Sequence, residues 1–177
     1  MSSTSPRPVR DAVEQAEDRR LRREARRRWN VFGVTAVAIF GADQVAKLIV
    51  RGAMDHGDRI AIIPGFGLVR ARNEGIAFGL FPGNQTLVAV LTVVALGLIA
   101  TVLARLAARS PPVAFGGGLL LGGSVGNFVD RLVHGGVTDF LDPVAFPAFN
   151  VADVGIVVGA AIVALGLLRV RDSHDRK

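Results

Sequence analysis

The sequence predicts an all-α integral membrane protein, with four transmembrane helices capped by a small extracytoplasmic β-sheet and loop region. Three observations carry that class. Half of the residues are hydrophobic and only 20% are charged, and the apolar ones gather in blocks of about twenty, the length that crosses a bilayer core. Lys and Arg crowd one set of connections between those blocks and are sparse in the other. Between the first two blocks, short apolar runs alternate with Pro and Gly, as short strands do. With 177 residues the chain has room for one domain. It contains no cysteine, which excludes a disulfide framework, a thiolate metal site and a Cys nucleophile.

Residues 1–29 read as an Arg-rich cytoplasmic tail. Nine Arg between Arg7 and Arg28 alternate with Asp11, Glu14, Glu17, Asp18 and Glu24, so i,i+4 pairs support a solvated, partly helical segment. No apolar core of a secretory leader precedes Val31. Binding of anionic lipid by the Arg22–Arg28 cluster is the sharper alternative. The first span covers about residues 31–50 and carries Asp43 and Lys47. Their spacing of four puts both on one face, as a structural ion pair inside the bundle.

Residues 52–84 form the longer outer loop. Ile60–Pro64, Phe66–Arg70 and Ile76–Leu80 read as short strands, interrupted by the polar turn Arg72-Asn73-Glu74-Gly75. The second span, 87–104, is scaffold. In the third, about 113–133, Gly118, Gly122 and Gly126 recur every four residues and permit close backbone approach. Gly123, Asn127 and Asp130 lie on another side, with Arg131 adjacent to Asp130 as its expected salt-bridge partner. Residues 134–150 read as a loop, in which Asp142 looks solvated. The fourth span, 151–170, opens on Asn150, a good N-cap, with Asp153 one turn in. A membrane domain of 30–171 and a cytoplasmic tail of 172–177 complete the organisation.

Four spans place both termini and the 105–112 connection on one side. That side carries fifteen Lys and Arg, against Arg51, Arg59, Arg70, Arg72 and Arg131 opposite. The bias makes both termini cytoplasmic and brings Asn73, Asp139 and the start of the fourth helix to the outer face.

Ionisable groups at membrane depth are expensive and mark working sites. Gly122-Gly123-Ser124-Val125-Gly126 fits a nucleophile-elbow pattern but lies within an apolar span rather than a strand-turn-helix. His56, His134 and His174 are scattered. A hard cation on Asp130, Asp139 and Asp153 is chemically possible, yet the expectation is no metal and no cofactor. Nucleic acid is not expected, because the basic residues lack interleaved aromatics. Aspartic chemistry remains: two close carboxylates share one proton, and one member activates water while the other protonates a carbonyl oxygen. Asp139 and Asp153 are the preferred pair. A transporter or channel using the same residues as a proton relay is the alternative.

Five motifs add a resemblance. Asp43-Gln44-Val45-Ala46-Lys47, Arg72 to Gly79, Gly122 to Arg131, Val137-Thr138-Asp139-Phe140 and Phe149-Asn150-Val151-Ala152-Asp153 are similar, in order and spacing, to those of bacterial lipoprotein signal peptidase, or signal peptidase II. The resemblance implies a monomeric aspartic endopeptidase of the bacterial plasma membrane, surrounded by membrane lipid. Its substrate is a prolipoprotein, cut before a diacylglyceryl-modified cysteine. By motif position Asp139 and Asp153 are its catalytic aspartates, and Asp43 with Lys47 a stabilising pair. Asn73, Gly75, Gly123, Asn127, Asp130, Arg131 and Asn150 support the site or contact substrate. Ala46 and Thr138 depart modestly from the pattern, and the Arg-rich tail lies outside it.

Overall fold

The computed structural model describes residues 7–74 and 110–174, with positions 90, 94, 97, 98, 100–102 and 105 between them. The elements run α1 (Arg7–Ala53), β1 (Arg59–Ile63), β2 (Phe66–Asn73), α2 (Pro111–His134), β3 (Val137–Pro143) and α3 (Val151–His174). Among the described residues these three helices are long and apolar enough to cross a membrane. The expected span at 87–104 lies outside the described residues apart from scattered helical positions. The expected strand at Ile76–Leu80 and the site residue Gly75 also fall outside them.

Helix α1 is longer than expected. Its 47 residues reach about 70 Å, so the Arg-rich segment continues the first span without a break. Neither Gly nor Pro occurs between Val9 and Phe32, and Asp18–Arg22, Arg20–Glu24 and Glu24–Arg28 pair along the surface at 2.9, 3.1 and 3.6 Å. Such pairs add a few tenths of a kcal/mol each, enough to favour helix where nothing opposes it.

Helix α2 is the centre of the bundle and packs on both α1 and α3. Ser110 enters it in extended conformation with Pro111 and Pro112 in the first turn, where a missing N–H costs nothing. Gly135 ends it at φ 69° and returns its N–H to the Arg131 carbonyl, the left-handed cap that favours glycine. The Gly118–Gly122–Gly126 row faces α1, as its spacing implies. A Cβ on Gly118 would stand 2.6 Å from the Phe32 oxygen, and one on Gly122 would collide with the Ala36 oxygen. Gly116 and Gly123 serve α3 in the same way, and a Cβ on Gly123 would strike the Ala152 oxygen. Small residues on two faces let α2 bring polar side chains from both neighbours within hydrogen-bond reach.

The sheet is antiparallel in the order β1-β2-β3. Its third strand corrects the reading of 134–150 as a loop, because Val137–Pro143 pairs along β2 from Asn73 to Phe66. Asp139, Asp142 and Pro143 are poor strand formers, so pairing with β2 overrides local preference. Phe140 and Leu141 pack with Val50, Met54, Leu68 and Val151, which seats the sheet on the ends of α1 and α3. Asp142 is corrected with it: the side chain is largely buried in the strand and pairs with Arg59 at 3.2 Å.

Candidate active site

Polar side chains from all six elements except β1 meet where the sheet rests on the helix ends. The N-terminus of α3 supplies two of them through a reciprocal cap. Asn150 Oδ1 accepts the Asp153 N–H at 2.9 Å, and Asp153 Oδ2 accepts the Asn150 N–H at 3.2 Å, the capping-box arrangement with an Asn and an Asp. The Asn150 amide is wholly buried and donates through Nδ2 to Asp139 Oδ1 at 2.6 Å. One asparagine therefore ties the carboxylate of β3 to the carboxylate of α3.

Each aspartate has a second donor. Asn73 Nδ2 of β2 reaches Asp139 Oδ2 at 3.2 Å, and Asn127 Nδ2 of α2 reaches Asp153 Oδ1 at 2.7 Å. Burial, and then the neighbouring charge of Asp153, push the Asp139 carboxyl up to about 6. The Asn150 and Asn73 hydrogen bonds and the Lys47 charge pull the other way. Desolvation wins because Asp139 is only 4% exposed, and the charge of Asp153 adds to it.

Beneath the aspartates runs a fully buried ionic chain. Lys47 Nζ lies 2.8 Å from Asp43 Oδ2, 3.3 Å from Asp130 Oδ2 and 2.8 Å from Asn127 Oδ1. The spacing-of-four pair is present as expected, and it does more than balance charge. Asp43 Oδ1 accepts the Ala152 N–H at 2.9 Å, satisfying a free donor in the first turn of α3. Lys47 orients Asn127, which in turn holds Asp153.

Asp130 corrects a sequence expectation. Lys47 and Arg51 hold it, with Arg51 Nη1 at 3.2 Å, in place of a pair with Arg131. The Asp130 carboxylate also accepts the Thr138 N–H at 3.0 Å and so fixes the strand one residue before Asp139. Arg131 donates Nη1 to the Asn127 carbonyl at 3.2 Å and lies within the electrostatic reach of Asp153, Asp139 and Asp130.

Three residues that sequence reasoning passed over complete the frame. Arg51 bridges Asp130 and the Thr138 hydroxyl; its place four residues after Lys47 and eight after Asp43 was the available signal. Gln44 reaches Asp43 Oδ2 and the Gly126 carbonyl. Arg70 caps α1 through the Arg51 and Met54 carbonyls at 3.1 and 2.7 Å. Among the described residues no group of three or more His, Cys, Asp or Glu converges as a metal site.

The sequence matches the family model described as signal peptidase II over residues 35–169. The chain belongs to the signal peptidase II family. A lipoprotein signal peptidase of Pelotomaculum thermopropionicum is 37% identical over 148 residues, covering 83% of this chain and 97% of that protein. One from Staphylococcus haemolyticus is 34% identical, covering 80% and 93%. A solved bacterial membrane enzyme, determined by the in meso method at 2.3 Å, superposes with a TM-score of 0.71 and 29% identity, covering 84% of this chain and 92% of that one. As a signal peptidase II, the chain is a multi-pass aspartic endopeptidase of the bacterial membrane that removes signal peptides from prolipoproteins.

Proposed function

We propose that Asp139 and Asp153 are the catalytic pair of this peptidase and that the bond cut precedes a diacylglyceryl-modified cysteine. The observation that supports the pair is the Asn150 bridge, which ties only these two carboxylates together. Asp139, pushed up to about 6, is the member that keeps the shared proton. Asp153, held by Asn127 and the Asn150 N–H, is the member that accepts one.

Water then attacks the scissile carbonyl carbon as Asp153 takes a water proton and Asp139 protonates the carbonyl oxygen. Collapse of the resulting gem-diol breaks the C–N bond. The leaving nitrogen takes the proton from Asp153, and a gem-diol hydroxyl returns its proton to Asp139. Asn73, Asn127, Asp130, Arg131 and Asn150 position the pair, Gly123 admits α3, and Asp43 with Lys47 anchors it from below. The test is incubation of purified protein with a lipidated precursor. Release of the signal peptide from the lipidated form, and not from an unlipidated one, supports the substrate; equal cutting of both counts against it.

The pH dependence has a defined sign. Asp139 is protonated below about 6, so raising the pH past that point removes the proton donor from the free enzyme. The ratio kcat/KM then falls about tenfold per pH unit on the alkaline side. Bound substrate deepens the desolvation, which moves the limb in kcat to higher pH. Asn73→Ala removes a hydrogen bond that lowers the Asp139 pKa and shifts the kcat/KM limb upward. A limb unmoved by that substitution would separate Asp139 from the profile.

The Lys and Arg distribution also favours four spans with both termini cytoplasmic and the aspartates at the outer face. A topology reporter fused after Ser110 reads cytoplasmic, and one within residues 55–60 reads external. The opposite pattern would overturn this arrangement.

A further inference from the structure

We propose a second ligand site: a cationic cavity beside the C-terminal end of α1 that binds the phosphate of an anionic lipid headgroup. The cavity has a volume of about 320 Å³ and is lined by Arg51, Arg70, Arg72, His56, His134 and Thr138, among others. Three of the five Lys and Arg expected outside the cytoplasm thus converge on one hollow, although the distribution elsewhere disfavours positive charge on that side.

The charges do not cancel within the protein. Arg51 is matched by Asp130 and Arg72 by Glu74, both at 3.2 Å, and His134 lies 3.7 Å from Asp130. Asp130 is also shared with Lys47. Arg70 is the surplus cation. Its Nη1 is spent on the Arg51 and Met54 carbonyls, and among the described residues its Nη2 and Nε meet no acceptor and no carboxylate. A guanidinium fixed along one edge, with its remaining donors uncommitted, suits a phosphate oxygen pair. Thr138 adds a hydroxyl that accepts from Arg51 Nη1 and keeps its own proton to donate.

Position selects the ligand. Arg72 is paired with Thr138 and Ala71 with Asp139, and successive strand side chains face opposite ways. The cavity is therefore centred on the sheet face opposite the Asp139 side chain, the face that Phe140 packs on the end of α1, with Ala71 at its margin. Its depth is set by the helices: Leu48 and Ile49 lie three and two residues before Arg51, Leu132 and Val133 immediately precede His134, and all four are exposed. Outward apolar side chains on the helical turns just below the Arg-lined cavity mark the level where acyl chains give way to phosphates. Occupancy would brace Arg51, and with it the Asp130–Thr138 contact that holds the strand before Asp139.

The inference does not depend on the peptidase reading, and its test reads binding rather than cleavage. Full-length protein is placed in phosphatidylcholine nanodiscs containing rising fractions of phosphatidylglycerol, and the thermal midpoint is followed. The expected result is a saturating rise in Tm. Arg70→Gln and the more exposed Arg72→Gln each weaken the apparent affinity about tenfold; the second stands in if loss of the α1 cap unfolds the first. Arg22→Gln/Arg23→Gln, which removes twice as much charge from the tail, leaves the response intact. Inorganic phosphate added to pure phosphatidylcholine discs separates the sources: an equal, Arg72-dependent rise assigns the site to free phosphate. Equal loss of response in the tail variant and in Arg72→Gln would reduce the effect to bulk charge and overturn the site. An Arg72-dependent response to an acidic peptide but not to phosphatidylglycerol would overturn the lipid assignment.

Discussion

Asp139→Asn and Asp153→Asn each reduce cleavage of a lipidated precursor by on the order of a thousandfold or more, while both proteins insert and remain folded. Each substitution keeps the side-chain shape and removes one oxygen that must gain or lose a proton. At position 139 the introduced amide still accepts from one of Asn150 and Asn73 but confronts the other donor. At position 153 it faces the same conflict between Asn127 and the Asn150 N–H. A lost hydrogen bond of this kind costs about 1–3 kcal/mol, and relief of the repulsion between the two carboxylates offsets part of it. Stability therefore falls little while turnover disappears. The double variant is no slower than either single one, because groups that act as a unit fail together. Asp142→Asn is the control. It loses only a pair with Arg59, whose side chain is 72% exposed, and surface pairs contribute about 0–1 kcal/mol. Measurable turnover by either single variant, with chelator without effect on the parent, would remove that residue from the pair and transfer the role to Asp130.

Comparison of particular residues shows why some of this architecture was legible in advance. Features set by short-range helix geometry were readable: the Gly118–Gly122–Gly126 row, the Asp43–Lys47 pair and the Asn150 cap each depend on spacings of three or four. Features set by long-range pairing were not. Val137–Pro143 lacks alternation, its Val137, Thr138 and Phe140 being offset by Asp139, Asp142 and Pro143, and it becomes a strand because β2 offers it an edge. Adjacency suggests Arg131 as the partner of Asp130, yet neighbouring side chains on a helix diverge by about 100° and do not face each other. Its actual partners, Lys47 and Arg51, come from a helix about eighty residues away in sequence. The aspartate pair emerged partly by elimination and partly by family resemblance; the Asn150 bridge between its members is visible only in three dimensions.

Lys47→Met has the largest expected effect on stability. Lys47 is wholly buried and touches Asp43, Asp130 and Asn127. Removing it leaves Asp130 with Arg51, but Asp43 keeps only the neutral donors Gln44 Nε2 and the Ala152 N–H. A buried charge deprived of its partner costs about 3–5 kcal/mol, which lowers the thermal midpoint sharply in detergent. Asp43→Asn/Lys47→Met removes the charges together and recovers most of that loss, since replacing a whole buried pair is often close to neutral. Activity follows a different course. In both variants Asn127 loses the ammonium that orients its Oδ1, and its Nδ2 no longer holds Asp153 at a fixed distance. Displacement of a reacting group by about 1 Å can cost about a hundredfold, so the double variant regains stability without regaining turnover. Thermal midpoints and single-turnover cleavage of the parent, the single variant and the double variant decide the matter. Recovery of turnover in step with stability would make Lys47 a purely structural cation, with no part in positioning Asp153.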